Sequence, residues 1–396
     1  MKDDGERMTN MVWSLPSEGI FQYEGRIDQE QADAPVFVYP GSFFRFRVKG
    51  LHLALAISNR HGYFENTLGI LVDGEYRGKV ILHDGEKTCG ESREWYGFRL
   101  NARDLERFEA RFQKEDCKTA DVRIYELDAF LDGNEHEITV FKRMDTCHYF
   151  SFHGAFAPSG VCMAAKSVLP ERRIEVFGDS VSCGEVSEAI GRCGGDDPQG
   201  HNGIYSNSYY SYSWILARKL DARIHITSQG GIALLDGEGY FNEPNRLGMI
   251  SSYDKIQINP SLGERKEWEL SKYVPHVILI AIGQNDHHPE NYMVEDYEGE
   301  KAKNWRKKYR EFIEGLRRNY PKAQIILTTT ILGHDVEWDN AIEQVCRELG
   351  DAKVCHFLYS KNGCGTTGHI RRPEAEQMAS EMKAFLDSLG PEIWLD

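Results

Sequence analysis

The sequence predicts two domains of different class: an all-β sandwich of jelly-roll type, then an α/β domain built on a parallel sheet. Three observations carry this. Short runs between about residues 20 and 156 alternate apolar with polar side chains and are separated by turn pairs. From Arg172 onward, apolar strand runs alternate with helical stretches. The 396 residues are enough for two cores of ordinary size. The expected domains are 18–160 and 168–396.

In the first half, "SFFRFRVKG" and "HEITVFKR" alternate as strands with one wet face do, while Asp73-Gly74 and Asp132-Gly133 mark tight turns. The charged segment from about 84 to 118 breaks the pattern. It reads as a loop insertion in which "DLERFEARFQKED" forms a short helix. "APSGVCMAAKSVLPE", 157–171, connects the halves. In the second half the predicted strands are "RIEVFG", "ARIHITS", "HVILIAIG", "AQIILTTT" and "KVCHFLY". Helices are expected at "SNSYYSYSWILARKL", "NWRKKYREFIEGLRRN", "NAIEQVCREL" and "RPEAEQMASEMKAFLDSL", the last with Pro373 in its first turn.

Composition narrows the function. A 41% hydrophobic and 28% charged chain is that of a soluble globular protein. No apolar run approaches membrane-spanning length. A formal charge of −15 disfavours nucleic acid and anionic membrane as partners. The nine cysteines include no CxxC pair, so neither a zinc site nor a disulfide framework is indicated. The start "MKDDGERMTNM" has no apolar stretch of the secretory kind. The expected location is cytoplasmic, or secreted if a leader has been removed.

Ligands of open parallel sheets bind beyond the carboxyl ends of the strands. Four predicted strand ends deliver chemistry there: Ser180 in "GDSVS", Gly230-Gly231 in "SQGGIA", Asn285 in "GQND", and His369 in "SKNGCGTTGHIRRPE" before the last helix. Taken singly, each has a bland role: helix cap, turn glycine, loop-binding amide, structural histidine. Together they fit acyl transfer. A serine needs a base to become a nucleophile, and histidine is suited to that near neutral pH. Amide hydrogens then stabilise the oxyanion, and glycine lets backbone approach it closely. Asp179 is expected to tie down its loop rather than join the proton relay. His287 and His288 lack the companions of a metal site, so neither metal nor cofactor is expected.

"FGDSVSCGE", "SQGGIALL", "IGQND" and "GHIRRPE" resemble the four blocks of the SGNH, or GDSL-type, serine hydrolases, which implies a flavodoxin-like three-layer α/β/α fold. The preceding β-rich half, "EGRID", "YPGSFFRFRVKG" and the long stretch "SNSYYSYSWILARKLDARIHITSQGG" are similar to carbohydrate esterase family 2. That resemblance implies removal of acetyl groups from xylo-, manno- or gluco-oligosaccharides or polysaccharides. It makes Ser180 the nucleophile, His369 the general base, and Ser180, Gly231 and Asn285 the oxyanion hole. Gly231 is favoured over Gly230 because it directly precedes an apparent helix start. A homo-oligomer is compatible with these letters.

Two positions depart from the pattern. Thr366 stands where many such enzymes place an aspartate, three residues before the histidine, and Ile370 replaces the usual proline. Losing the corresponding aspartate in a serine protease costs about 10⁴ in rate. The first expectation, implied by the resemblance, is a Ser–His dyad with a backbone carbonyl orienting the ring; Asp335 and Asp339 are outside candidates. The alternatives to acetyl esterase are a lipid or thioester hydrolase on the same domain, or an inactive carbohydrate-binding protein.

Overall fold

In the computed structural model, residues 10–83, 99–100, 104, 106–107, 122–159 and 161–395 are described. They form two units. One takes residues up to Val38, Ser42–Lys142 and His148–Val168; the other takes Tyr39–Gly41, Arg143–Cys147 and everything from Leu169 onward.

The first unit is a sandwich of two sheets. One sheet orders the strands Val122–Glu126, Ala54–His61, His148–Pro158, Asn10–Ser14 and Arg99–Leu100, with Ile27–Asp28 and Val36–Phe37 added beside His148–Pro158. The other orders Cys162–Met163, Phe43–Lys49, Glu135–Lys142, Thr67–Val72 and Glu75–Ile81, with Gln22–Glu24 beside Phe43–Lys49. Every pairing is antiparallel except Asn10–Ser14 with Arg99–Leu100. The sandwich thus begins ahead of residue 18, at the strand carrying Trp13. Alternation in Phe43–Lys49 sends Phe44, Phe46 and Val48 inward. There Phe44 stacks on Phe152 of the opposite sheet with ring centroids 4.0 Å apart. Each such side chain contributes about 1.5–3 kcal/mol by leaving water.

Asp73-Gly74 makes the two-residue hairpin its letters predict, joining Thr67–Val72 to Glu75–Ile81. Gly133 likewise sits in a turn with positive φ just before Glu135–Lys142. The 84–118 insertion lies outside the described residues, save Arg99–Leu100, which pairs into the sheet, and Asp104, Glu106 and Arg107, which are helical.

The second unit carries a five-stranded, all-parallel sheet: β1 Arg172–Gly178, β2 Ala222–Ser228, β3 Val277–Ala281, β4 Gln324–Thr328 and β5 Val354–His356. Its order is β2-β1-β3-β4-β5, the flavodoxin-like arrangement. All five predicted strands are present. β3 and β4 are buried along their whole length, which is why they read as unbroken apolar runs.

The helices that frame the site are α1 Ser180–Cys183, α2 Tyr212–Leu220, α3 Glu300–Asn319, α4 Val336–Leu349 and α5 Arg372–Ser388; a further single turn, Tyr292–Glu295, precedes α3. α2 packs on α5, and α3 on α4, giving the two outer layers. α3 buries Ala302, Trp305, Tyr309, Phe312, Ile313 and Leu316, a stripe at helical spacing. The helix expected from "SNSYYSYSWILARKL" is shorter than its letters suggest. A 3₁₀ turn, Ser208–Tyr210, comes first, and α2 starts only at Tyr212 because the Ser211 hydroxyl accepts from Trp214 N–H at 3.2 Å. α5 starts at Pro373's neighbour as expected, with Glu374 accepting from Arg371 N–H at 2.8 Å.

One glycine of the sandwich is irreplaceable. Gly154 sits at a bulge in His148–Pro158 with φ +124°, and a Cβ there would stand 2.4 Å from Trp13 Nε1 and 2.5 Å from Ser14 O. Gly154→Ala should destabilise the sandwich by about 1–3 kcal/mol, read as a lowered urea midpoint with an unchanged slope.

Candidate active site

All four sequence blocks lie where β1, β2, β3 and the chain leading into α5 end, and buried polar groups tie the first three together. Ser180 opens α1 directly after β1 and is 5% exposed. Asp179 caps that helix, accepting from Val181 N–H at 3.0 Å. Its other oxygen accepts from the amides of Gln284 at 2.6 Å and Asn285 at 3.1 Å. Burial pushes the Asp179 carboxyl up to about 6, against the pull of these donors. It therefore ties down its loop, as expected. In the same block, Asp286 accepts from Leu234 N–H at 2.9 Å and from the Trp305 indole at 2.6 Å. Block three thus fixes block one through Asp179 and block two through Asp286.

The glycine pair separates cleanly into two roles. Gly230 N–H donates to Asp145 at 2.8 Å and is spent. Gly231 has φ +72°, and its N–H meets no acceptor among the described residues. The same is true of Ser180 N–H, the first amide of a helix. Asn285 is different: its side-chain amide donates to Asp179 and, at 3.1 Å, to Ile232 O. Both amide hydrogens are engaged, so donation to an oxyanion requires one of them to be shared or released.

Asp145 was not foreseen. It lies on Arg143–Cys147, between two sandwich strands in sequence but part of the second unit. Besides Gly230, its carboxylate accepts from the Gln229 amide at 2.8 Å and Cys147 N–H at 3.0 Å. Arg143, fully buried, donates to Glu188 at 2.6 Å, and Asn259 donates to Thr146 O at 3.0 Å. The glycine loop is held by this segment.

His369 has a carboxylate on its ring, and this corrects the dyad expectation. Its Nδ1 is 2.6 Å from Asp197 Oδ2, and its backbone N–H donates to Asp197 Oδ1 at 2.9 Å. Arg371, buried, also donates to Oδ1 at 3.0 Å. Two bonds to one carboxylate, one from the ring and one from the backbone, define the ring's orientation better than a lone carbonyl would. Asp197 stays ionised: burial raises its carboxyl, but the His369 bonds and charge and the Arg371 charge bring it below its ordinary value.

The outside candidates are elsewhere. Asp335 precedes α4 and accepts from Asn291 at 2.8 Å. Asp339 accepts from Thr329 at 2.6 Å and Asn362 at 2.9 Å and pairs with His334. Thr366, the position of the missing aspartate, is buried in a bridge to Leu332. His287 bonds Gln284 O at 3.1 Å and Tyr240 at 3.2 Å, and His288 stacks on the Tyr240 ring at 4.2 Å.

On the other side of the imidazole, Nε2 is 3.5 Å from Glu185 Oε2. Burial alone would lower the His369 pKa, but the charges of Glu185, Asp197 and Asp179 and the Asp197 bond outweigh it and lift it to about 9. Asp179 and Glu185, which flank Ser180 in sequence, thus share one electrostatic cluster with the imidazole.

Known proteins now add to this geometry. Residues 23–93 match the family model described as "Carbohydrate esterase 2 N-terminal". The chain is 29% identical over 262 residues to an acetylxylan esterase / glucomannan deacetylase of Cellvibrio japonicus, covering 65% of this chain and 68% of that protein. It is 32% identical over 242 residues to the cellulase/esterase CelE of Acetivibrio thermocellus, covering 59% of this chain and only 27% of that longer protein. Among solved structures, a family two carbohydrate esterase from Cellvibrio japonicus superposes with a TM-score of 0.71 at 22% identity, covering 98% of this chain and 100% of the other. One from Clostridium thermocellum, in complex with cellohexaose, gives 0.69 at 24% identity, covering 95% and 100%.

An NMR titration of the His369 ring should give a midpoint near 9, and Asp197→Asn should lower that midpoint.

Proposed function

We propose that this chain, a relative of the family 2 carbohydrate esterases on an SGNH fold, is a carbohydrate O-acetyl esterase working through a serine acyl-enzyme. The observation that carries the reading is the pairing of His369 with Asp197, on an imidazole that also feels the charge of Asp179, the cap of the helix that Ser180 opens, with the Ser180 and Gly231 N–H groups unengaged among the described residues. That is a base, its orienter, a nucleophile and two oxyanion donors at one sheet rim.

In this reading, Asp197 fixes the tautomer that leaves Nε2 to take the Ser180 proton. Ser180 attacks the acetyl carbonyl. The oxyanion rests on Ser180 N–H and Gly231 N–H, with the Asn285 amide joining once it shares its bond to Ile232 O. Imidazolium then protonates the departing alcohol. Water, deprotonated by His369, releases acetate in the second half. Asp145 acts through the glycine loop: by holding Gly230 N–H it turns Gly231 N–H towards the ester. The Cellvibrio japonicus relative is named an acetylxylan esterase / glucomannan deacetylase, and acetylated oligosaccharides of that kind are the proposed substrates. A part in carbohydrate degradation is proposed with them. The inactive-binder alternative loses its motive, since Asp197 supplies what Thr366 cannot.

The raised His369 pKa has a sign that can be checked. Only the neutral imidazole accepts a proton, so kcat/KM should climb about tenfold per pH unit below about pH 9 and level off above it. Assays on an acetylated xylo- or gluco-oligosaccharide should show Ser180→Ala losing at least about 10³-fold and Asp197→Asn about 10³–10⁴-fold in kcat, both still folded. Full turnover by Ser180→Ala would end the proposal.

A further inference from the structure

Glu185 takes no part in the steps above, yet its carboxylate faces the atom on which they turn. Its backbone N–H donates to Ser180 O at 3.0 Å, seating it at the close of the α1 turn. From there Oε2 reaches to 3.5 Å from His369 Nε2. The same oxygen is 3.2 Å from where a Cβ on Gly230 would lie. It therefore sits between the imidazole and the glycine loop.

The other carboxylates of the cluster are committed. Asp179 holds Val181, Gln284 and Asn285; Asp145 holds Gly230, Gln229 and Cys147; Asp197 holds His369 and Arg371. Among the described residues, Glu185's side chain has His369 as its close polar partner and retains acceptor capacity. Burial raises its carboxyl, and the facing imidazolium opposes that rise.

During acyl transfer Nε2 must come within hydrogen-bond reach, about 2.6–3.2 Å, of the departing alcohol's oxygen. A carboxylate oxygen next to that same nitrogen then looks onto the carbon skeleton of the alcohol, one or two bonds from the ester. An isolated ester offers that carboxylate no further donor. A polyol offers a donor at that point. We infer that Glu185 is a specificity-determining residue, accepting a hydrogen bond from a free hydroxyl next to the acetyl ester on the leaving alcohol. This rests on the acyl-enzyme reading of Ser180 and His369. It also sets a sign: an acid group at that place on the substrate, as in an acetylated uronate, is repelled.

The test compares kcat/KM for a monoacetylated methyl pyranoside and for its deoxy analogue lacking the neighbouring hydroxyl, with wild type, Glu185→Gln and Glu185→Ala. Wild type should prefer the hydroxylated ester by about tenfold or more, the strength of a charge-assisted bond. The ratio should fall several-fold in Glu185→Gln, whose amide oxygen still accepts without charge, and approach one in Glu185→Ala. Glu185→Gln is isosteric and carries the test should Glu185→Ala not fold. A wild-type ratio near one, or a ratio that survives both substitutions, overturns the inference. Ser180→Ala run alongside keeps the two failures apart: residual full activity sinks the acyl-enzyme reading, whereas a dead Ser180→Ala with an unchanged ratio sinks only the assignment of Glu185.

Discussion

The site is organised by one buried carboxylate, Asp179. A charge removed from water is tolerated only when donors surround it, and Asp179 draws those donors from two places: Val181 N–H of its own helix and the Gln284 and Asn285 amides from beyond the third strand of the parallel sheet. Gln284 in turn accepts from Thr330 at 2.6 Å, beyond the fourth strand. Three neighbouring strand ends are thereby locked in register around the residue after Asp179, which is Ser180. The same need explains Asp286, which satisfies itself on the glycine loop and on Trp305. Positioning here is a by-product of keeping buried charge solvated by protein.

Much of this was written in the letters. The strands of the second unit announced themselves because a sheet covered on both faces demands continuous apolar runs, as in "HVILIAIG" and "AQIILTTT". Ser180, Gly231 and Asn285 stood out because each lies within a few residues of a strand end, and His369 because it stands just before the last helix. From sequence Gly231 is preferred to Gly230 as the residue before a helix start, but no helix follows it; what separates the two in the structure is Asp145, which occupies the Gly230 amide.

Asp197 was not legible. It sits in "CGGDDPQGHN", a turn-rich stretch with no periodicity, and reaches His369 across 172 positions of chain. Nothing local distinguishes it from Asp196, which instead accepts from Thr367 at 2.7 Å. The expectation of a backbone carbonyl failed because the carboxylates weighed against it, Asp335 and Asp339, lie beyond the fourth strand, whereas the one on the ring is Asp197. Chemistry requires only that a carboxylate meet Nδ1, and a loop after the first strand does this as well as the residue three before the histidine. Asp145 and Glu185 were hidden for a related reason: side-chain reach, not backbone pattern, gives them their places.

The segment Arg143–Cys147 carries a consequence for how such a chain can evolve. The polypeptide leaves one sandwich strand at Lys142, contributes Asp145 to the glycine loop, and re-enters the sandwich at His148. The apparent seam near residue 168 is therefore not a place where the parts come apart intact. A gene fragment beginning there would encode every residue of the four blocks and still lack the brace behind one of them. That five-residue excursion ties the folding of the glycine loop to a stretch encoded within the sandwich.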